Sequence, residues 1–433
     1  MHPNALLEAC TELVRLTLKF DHPADAVVSK FFRDYRKTYA FGPRERATLA
    51  ETTYNVLRNK LRYDHLAPSG SGPKERRLAI LGFADYLQNT DKKFLFGALN
   101  KQEAAWLEAC SKVQTSELME RHRHNLPEWL VAPLKAQVGD GFWPLVAQLN
   151  ASAPLDLRVN TFTDKREDVQ KEIKAFGIDA KPTPFSPWGL RIQGKPALSQ
   201  LDLFKRGAVE VQDEGSQLLA LLLDAKRGEM VCDFCAGAGG KTLAIGASMR
   251  STGRLYAFDT SAHRLEALKP RLARSKLSNV HPAAIAHERD DRIKRLSGKM
   301  DRVLVDAPCS GLGTLRRNPD LKWRQSPQSV AELTQKQLSI LTSAARLLKP
   351  GGRLVYATCS LISHENQGVV EAFLANNTQF ELKDPKEVLR DSFPMMDGLP
   401  IGASKNNSWW QLFPHIHGTD GFFGAILERK AGS

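Results

Sequence analysis

Two cysteines in this chain end apolar runs at points where the backbone has to turn. "VDAPCSGLG" (305–313) puts Cys309 three residues after Asp306, and "LVYATCSL" (354–361) puts Cys359 in the matching position fifty residues on. Either cysteine alone reads as a buried, inert thiol. Two of them at equivalent run ends, beside Asp-Ala-Pro and a glycine turn, point to chemistry: one sulfur as a nucleophile that splits a hard step in two, the other as a proton-handling partner. A third feature is "CAGAGGKT" (235–242), a glycine loop that follows an apolar run and opens a helical segment. Its N–H groups and the helix start make a cradle for an anion or nucleotide. A phosphate-binding loop of the GxxxxGKT type needs glycine where Cys235 stands, which disfavours nucleotide hydrolysis. Asp259 ends the next apolar run twenty residues after Gly239, a spacing at which a carboxylate accepts both hydroxyls of a ribose.

A ribose site without a second nucleotide suggests S-adenosylmethionine, whose carboxylate would meet the glycine loop and whose sulfonium carries an electrophilic methyl. Cytosine C5 is too poor a nucleophile to take that methyl unaided. A thiolate adding to C6 makes C5 nucleophilic, and the C5 proton must then leave before the thiol can be eliminated. Two cysteines facing one base supply both needs, with Asp306 placed to bond the N3/N4 edge. A free thiol is mostly protonated at neutral pH, so the nucleophile needs a nearby positive charge or helix dipole. The cofactor sulfonium and lysines or arginines such as Arg316 and Arg317 are candidates. The base must also leave its stack, which favours looped or single-stranded RNA. Cys232 and Cys235 form a C-x-x-C with no second pair or histidine cluster, so burial is expected there and no metal site.

The elements around these residues alternate. "EMVCDFC", "GRLYAFD", "DRVLVDAP" and "GRLVYATCS" read as short strands. "SAHRLEALKPRLARSKL" and "SPQSVAELTQKQLSILTSAARLLK" read as helices, the second opening with Ser326 as N-cap candidate and Pro327 in the first turn. Strand–helix alternation predicts an α/β, doubly wound and mostly parallel sheet with ligands at the strands' carboxyl ends, so that both thiols share one rim. Three parts are expected: a helical one over 1–125, a small α+β connector over 126–205 and the α/β domain over 206–433. In the first, Ala50, Tyr54, Leu57 and Leu61 make an apolar stripe, with Arg44, Arg46, Arg58, Lys60 and Arg62 mostly off it, on a face that is either solvated or turned to RNA. In the second, "LDLRVNTF" reads as a strand, "KREDVQKEIKAFG" as a helix closed by glycine, and "AKPTPFSPWGLRIQG" as hairpin-like.

The chain has 433 residues, more than one core usually supports, and its 42% hydrophobic and 25% charged content is that of a globular protein. The longest apolar stretch, "LLALLL" (218–223), is too short to span a bilayer, and the start lacks a secretory pattern, so a cytoplasmic location with reduced thiols is expected. The formal net charge of +13 raises the expectation of a polyanionic partner, because Lys and Arg gain affinity by releasing counterions from phosphates.

Four segments carry a more specific likeness. "DFCAGAGGKT", "DRVLVDAPCSGLGTLRRNPDLKW", "LKPGGRLVYATCSLISHEN" and "DGFFGAILERK" occur in order and resemble successive motifs of the RsmB/Nop/Sun family of RNA cytosine-5 methyltransferases. The resemblance implies a Rossmann-like class I fold, S-adenosyl-L-methionine as cofactor, and RNA as partner. Small-subunit ribosomal RNA is the expected substrate, with no membrane, no metal and a monomeric chain. It implies Cys359 as the nucleophile at C6, Cys309 as the residue assisting proton removal or release, and Asp306 beside the base. It places Cys235, Ala236, Gly237, Ala238, Gly239, Gly240, Lys241, Asp259 and Asp306 at the cofactor. By analogy with DNA cytosine methyltransferases, which attack with the cysteine of a Pro-Cys motif, the two thiols would swap roles. Members commonly read "CAAPGGKT" where this chain has "CAGAGGKT", and the carboxylate for the adenine amino group falls in "AHERDD". His287 and Glu288 compete for that slot, and Glu288 is taken as the candidate. "VEVQDEGSQLL" and "LDLRVNTF" resemble the segment preceding the catalytic domain, where RNA contacts are expected. "FGPRERATLAETTYNVLRN" is similar to the NusB-like RNA-binding domain of RsmB-type members. Alternatives in view are the same chemistry on transfer RNA or another RNA, a non-catalytic RNA-binding assembly factor, and a nucleotide-dependent RNA remodelling factor.

Overall fold

The computed structural model describes residues 1–37, 41–88, 91–194, 196–390 and 409–432, which group into two units. The first comprises Met1–Ser152 together with Thr314–Ser326. Among its described residues the regular elements are helices, including Pro3–Thr17, Pro43–Arg58, Lys74–Leu87, Lys101–Ser111 and Glu128–Val138. Leu7, Leu13, Leu49, Val56, Leu78 and Phe83 are buried at their centre.

The apolar stripe expected on Pro43–Arg58 is displaced. The buried residues are Thr48, Leu49, Thr52, Thr53, Val56, Leu57 and Arg58, whereas Ala50, Tyr54 and Leu61 are half-buried. The reason lies on the neighbouring helix. A Cβ at Gly82 would stand 2.6 Å from the Thr52 carbonyl oxygen and 2.9 Å from Val56 Cγ2, so the two backbones approach closely over small residues. Two of the buried threonines satisfy their hydroxyls on their own helix: Thr53 Oγ1 donates to the Leu49 carbonyl at 2.9 Å and Thr48 Oγ1 to the Arg44 carbonyl at 3.0 Å. Arg58, expected on a polar face, is buried and donates through Nη2 to the Arg316 carbonyl.

That contact lies within the first unit, because Thr314–Ser326 packs there. Asp320 Oδ2 accepts from the Ala24 N–H at 3.1 Å, Trp323 Nε1 donates to the Leu57 carbonyl at 2.7 Å, and Lys322 Nζ donates to the Arg58 carbonyl and to Asn150 Oδ1. Lys322 is buried, and burial together with nearby Arg58 pushes its ammonium well below the ordinary lysine value.

The second unit, Ala153–Gly313 with Pro327–Ser433, carries two sheets. The smaller consists of β1 (Leu155–Val159), β2 (Ala180–Pro182), β3 (Gly189–Ile192) and β4 (Val209–Val211), in the order β2-β3-β1-β4 and antiparallel throughout. The helix Arg166–Ala175 covers it through Val169 and Ile173 and is followed by Gly177 at φ +74°. The connector's expected strand, helix and hairpin are all present.

The larger sheet contains β5 (Met230–Asp233), β6 (Arg254–Asp259), β7 (Val280–Ala284), β8 (Met300–Asp306), β9 (Leu348–Thr358), β10 (Phe380–Lys383), β11 (Trp410–Leu412) and β12 (Phe422–Arg429). Its order is β10-β12-β9-β8-β5-β6-β7, with β11 paired to β12. The pairs among β5 to β9 are parallel, and those involving β12 are antiparallel. Both faces are covered, as the near-continuous apolar runs demand. Val231, Leu304 and Val355 pack with Leu218, Leu222 and Ile245 on one side, while Cys232, Val303 and Tyr356 pack with Ile340, Leu341 and Phe373 on the other. The chain runs outward from β5 to β7, then returns to β8 on the opposite flank. The strand order therefore reverses between β5 and β8, and a crevice opens at their carboxyl ends. Among the described residues no helix is long and apolar enough to cross a membrane.

Candidate active site

A cavity of about 770 Å³ occupies that crevice. Its wall takes Cys235, Ala236, Gly237, Ala238, Gly240 and Lys241 from the loop after β5, Asp259 from β6, Glu288 from the turn after β7, Asp306 and Cys309 from β8 and its following loop, and Cys359 from the loop after β9. Of the residues expected at the reaction or holding the cofactor, only Gly239 is outside this wall; it faces inward. At φ +83° it lies where a Cβ would stand 2.1 Å from Leu268 Cδ1, so glycine lets the loop pack on the helix Ala262–Ser275. Gly237, at φ +55°, has no atom within 4 Å of a Cβ position. Its N–H donates to Asp259 Oδ2 at 2.8 Å, and the Ser261 N–H donates to Oδ1 at 2.7 Å. Two loop carbonyls are tied down from outside: Arg158 on β1 donates to Gly240 O and Arg271 to Ala238 O, each at 2.5 Å. Neither arginine stands out in the sequence, although Arg158 belongs to "LDLRVNTF", where the resemblance implied RNA contacts. It is buried, and burial lowers its guanidinium to about 10.

Of the two residues competing for the adenine-side slot, Glu288 lines the cavity and accepts from Ser339 Oγ at 2.7 Å. His287 is exposed, and its Nδ1 accepts the Arg289 N–H. The residues fit a nucleoside cofactor bearing a carboxylate: a glycine loop open at Gly237, a fixed carboxylate on the next strand and a second carboxylate beyond it.

The two thiols meet. Cys309 Sγ and Cys359 Sγ are 3.3 Å apart, within reach of an S–H···S hydrogen bond, and both sulfurs are unoxidised. The backbone enforces this approach. Register across β8 and β9 sets Asp306 opposite Ala357, the Ala307 N–H donates to Ala357 O at 2.8 Å, and beyond the strands the Gly313 N–H donates to Cys359 O at 2.9 Å. A Cβ on Gly313 would lie 2.1 Å from the Gly421 carbonyl oxygen, so only glycine permits the loops to close so tightly.

Charge in the cavity is unevenly placed. Lys241 Nζ donates to Asp306 Oδ2 at 2.7 Å. Burial opposes its charge, but Asp306, the hydrogen bond to it and the neighbouring Cys359 together hold the ammonium above its ordinary value. Cys235 is a poor nucleophile despite its place in the wall. Burial and the charges of Asp233, Asp306 and Asp259 push its thiol far up. Arg316 and Arg317, offered from sequence as cations for the thiolate, sit in the Thr314–Ser326 segment that packs into the first unit, and Arg316 is buried there. Within the second unit that place is taken by Lys241, previously assigned only to the cofactor. Cys232 is fully buried, as expected, and no group of three or more His, Cys, Asp or Glu suited to a metal ion occurs among the described residues.

A doubly wound sheet with a glycine loop, a ribose-type carboxylate on the next strand and a cavity at the switch point defines a class I S-adenosylmethionine-dependent methyltransferase. Sequence comparison narrows the class. Residues 220–428 match the model of the 16S rRNA methyltransferase RsmB/F family, and residues 126–199 match the ferredoxin-like domain of RsmF/B-like methyltransferases. The chain is 35% identical to ribosomal RNA small subunit methyltransferase B of Pasteurella multocida over 72% of its own length and 67% of that protein's. It is 30% identical to the probable ribosomal RNA small subunit methyltransferase B of a Synechocystis species, over 90% and 93% of the two chains. The chain belongs to the RsmB/F family of S-adenosylmethionine-dependent RNA methyltransferases. Its fold is shared by the crystal structure of NSun6 from Pyrococcus horikoshii with SFG, an S-adenosylmethionine analogue (TM-score 0.61, 22% identity, 70% of this chain and 98% of that one).

Proposed function

We propose that the protein methylates C5 of a cytosine in small-subunit ribosomal RNA through a covalent bond between Cys359 and C6 of the base. The observation that carries this reading is the 3.3 Å approach of the Cys309 and Cys359 sulfurs in the wall of the cavity that also holds the glycine loop. Cys235 to Lys241, Asp259, Glu288 and Asp306 would hold S-adenosylmethionine, which when bound would supply an electrophilic methyl. Cys359 adds as thiolate to C6, with Lys241 as the cation beside it, and leaves C5 electron-rich. Asp306, oriented by Lys241, bonds the N3/N4 edge of the ring. Once C5 carries the methyl group and still its proton, the release stage follows: a solvent water takes that proton, the C5–C6 double bond re-forms, and the Cys359–C6 bond breaks with its electron pair returning to Cys359, whose thiolate the Cys309 S–H assists by hydrogen bonding. Residues 1–125 act as a NusB-like RNA-binding domain, 126–205 as an RNA-binding connector and 206–433 as the catalytic domain of a monomeric cytoplasmic enzyme. The net charge of +13 supports a nucleic-acid partner.

The test uses methyl-labelled cofactor with unmodified small-subunit ribosomal RNA and, separately, transfer RNA. The wild type is expected to label a cytosine of the ribosomal RNA. Cys359→Ala is expected to lose transfer, and Cys309→Ala to accumulate protein bonded to RNA on a denaturing gel. Normal transfer by Cys359→Ala would refute the role given to that sulfur.

A further inference from the structure

Each thiol is followed by a serine, and the two serines share one buried carboxylate. Glu365, fully buried, accepts through Oε2 from the hydroxyls of Ser310 and Ser360, both at 2.5 Å. Through Oε1 it accepts from the Ser310 N–H at 2.8 Å and from Gln337 Nε2 at 2.9 Å. Gln337 Nε2 also donates to the Pro308 carbonyl, and Tyr356 Oη donates to the Glu365 carbonyl at 2.6 Å. One side chain thus holds the residue after Cys309, the residue after Cys359 and the helix Pro327–Ala345 behind them.

We propose that Glu365 is the positioning residue of the thiol pair: its carboxylate clamps the two Cys-Ser turns so that the sulfurs meet, and its place beside Cys309, with Lys241 beside Cys359, makes Cys359 the more reactive thiol. The inference rests on the methyl-transfer reading above and adds a physical ground for assigning the nucleophile. The groups facing Cys309 are Cys359, Glu365 and Tyr356, with Asp306, Lys241 and Lys336 further along the same wall. Glu365 adds negative potential on the Cys309 side, whereas the cation of the cavity, Lys241, interacts with Cys359. The hydrogen bond to Cys359, burial, and the charges of Cys359 and Glu365 push the Cys309 thiol up, against the Gly311 N–H, which favours its thiolate. A protonated Cys309 donates its S–H to Cys359, and a thiolate that accepts a hydrogen bond is the favoured ionised form of the pair.

The experiment measures iodoacetamide alkylation of each cysteine against pH in the full-length protein without RNA or cofactor, resolved by peptide mass spectrometry. In the wild type Cys359 is expected to alkylate at least tenfold faster than Cys309 at pH 7. Glu365→Gln removes the charge while its amide can still bridge the serine hydroxyls. It should shift the Cys309 profile to lower pH by a unit or more. Ser360→Ala weakens the clamp but leaves the charge, and should lower kcat severalfold with KM for RNA and the Cys309 profile unchanged. Faster alkylation of Cys309 than of Cys359 in the wild type, or an unmoved Cys309 profile in folded Glu365→Gln, overturns the proposal. Should Glu365→Gln not fold, the wild-type order and the kcat of Ser360→Ala decide. Absence of methyl transfer to C5 with the alkylation results as expected would refute the methylation reading and leave Glu365's effect on the thiols standing.

Discussion

Asp233 ends β5, where Thr242 Oγ1 donates to its Oδ2 at 2.6 Å and burial lifts its carboxyl to about 7. An unfolded chain releases this proton near pH 4, so between about pH 4 and 7 the native state binds more protons than the unfolded one. The group's contribution to stability therefore falls as pH rises through that window. Asp233→Asn removes the dependence. Its stability relative to wild type, followed by thermal melting, is expected to grow between pH 4 and 7 by at most about 4 kcal/mol. Other features at this scale were legible in the sequence to different degrees. Cys309, Cys359, Asp259 and the glycine loop could be found because each ends an apolar run, and a parallel sheet gathers such ends on one rim. Glu365 could not, because "LISHEN" has no periodicity and a buried carboxylate looks like a surface one until its donors are seen. The pair of serines following the two cysteines was the available signal. Nearness in sequence to Cys309 did not show that Arg316 and Arg317 belong to a segment that packs into the first unit.

At the scale of elements, the close approach of the two thiol-bearing loops depends on backbone. The Gly313 N–H donates to Cys359 O at 2.9 Å, and the Gly421 N–H donates to Gly313 O at 2.8 Å, which leaves no room for a β-carbon. Gly313→Ala is expected to cost about 2 kcal/mol of stability, in the range of core overpacking. It should also reduce methyl transfer at least tenfold by spreading the sulfurs. Gly368→Ala is the control: it lies in the helix Gln367–Asn376 with its nearest neighbour, Ser363 O, at 3.5 Å. It should keep full activity and gain up to about 1 kcal/mol. Melting temperature and initial rate on the same preparations check both. The strands β5, β6, β8 and β9 and the helices Ala262–Ser275 and Pro327–Ala345 were readable because short apolar runs alternate there with period-3.6 patterns. The helix Pro43–Arg58 was located correctly, but its buried face was not, because close packing against Gly82 selects threonines, which a search for apolar residues passes over.

For the whole molecule, the least legible feature is Thr314–Ser326. It runs unbroken through the motif "GLGTLRRNPDLKW", with nothing in composition to mark a crossing, yet its buried Leu315, Arg316, Asp320 and Lys322 pack in the unit built from Met1–Ser152. A fragment of residues 153–433 lacks Ala24, Leu57, Arg58 and Asn150, whose groups bond Asp320, Trp323 and Lys322 in the full chain. Limited trypsin digestion is expected to cut that fragment after Arg316, Arg317, Lys322 or Arg324 at least tenfold faster than the full chain, and adding residues 1–152 should slow the cleavage. Equal cleavage rates would show that the segment needs nothing from the amino-terminal unit.

The same excursion orders events on the ribosome. The first unit lacks one of its pieces until about 160 further residues have been made, which at 5–20 residues per second is a delay of roughly ten to thirty seconds. Throughout that interval the nascent helical part leaves Leu57, Arg58 and Asn150 uncovered. Its completion coincides with the emergence of the loop just after Cys309, so vectorial synthesis couples the maturation of the amino-terminal unit to the assembly of the thiol-bearing rim.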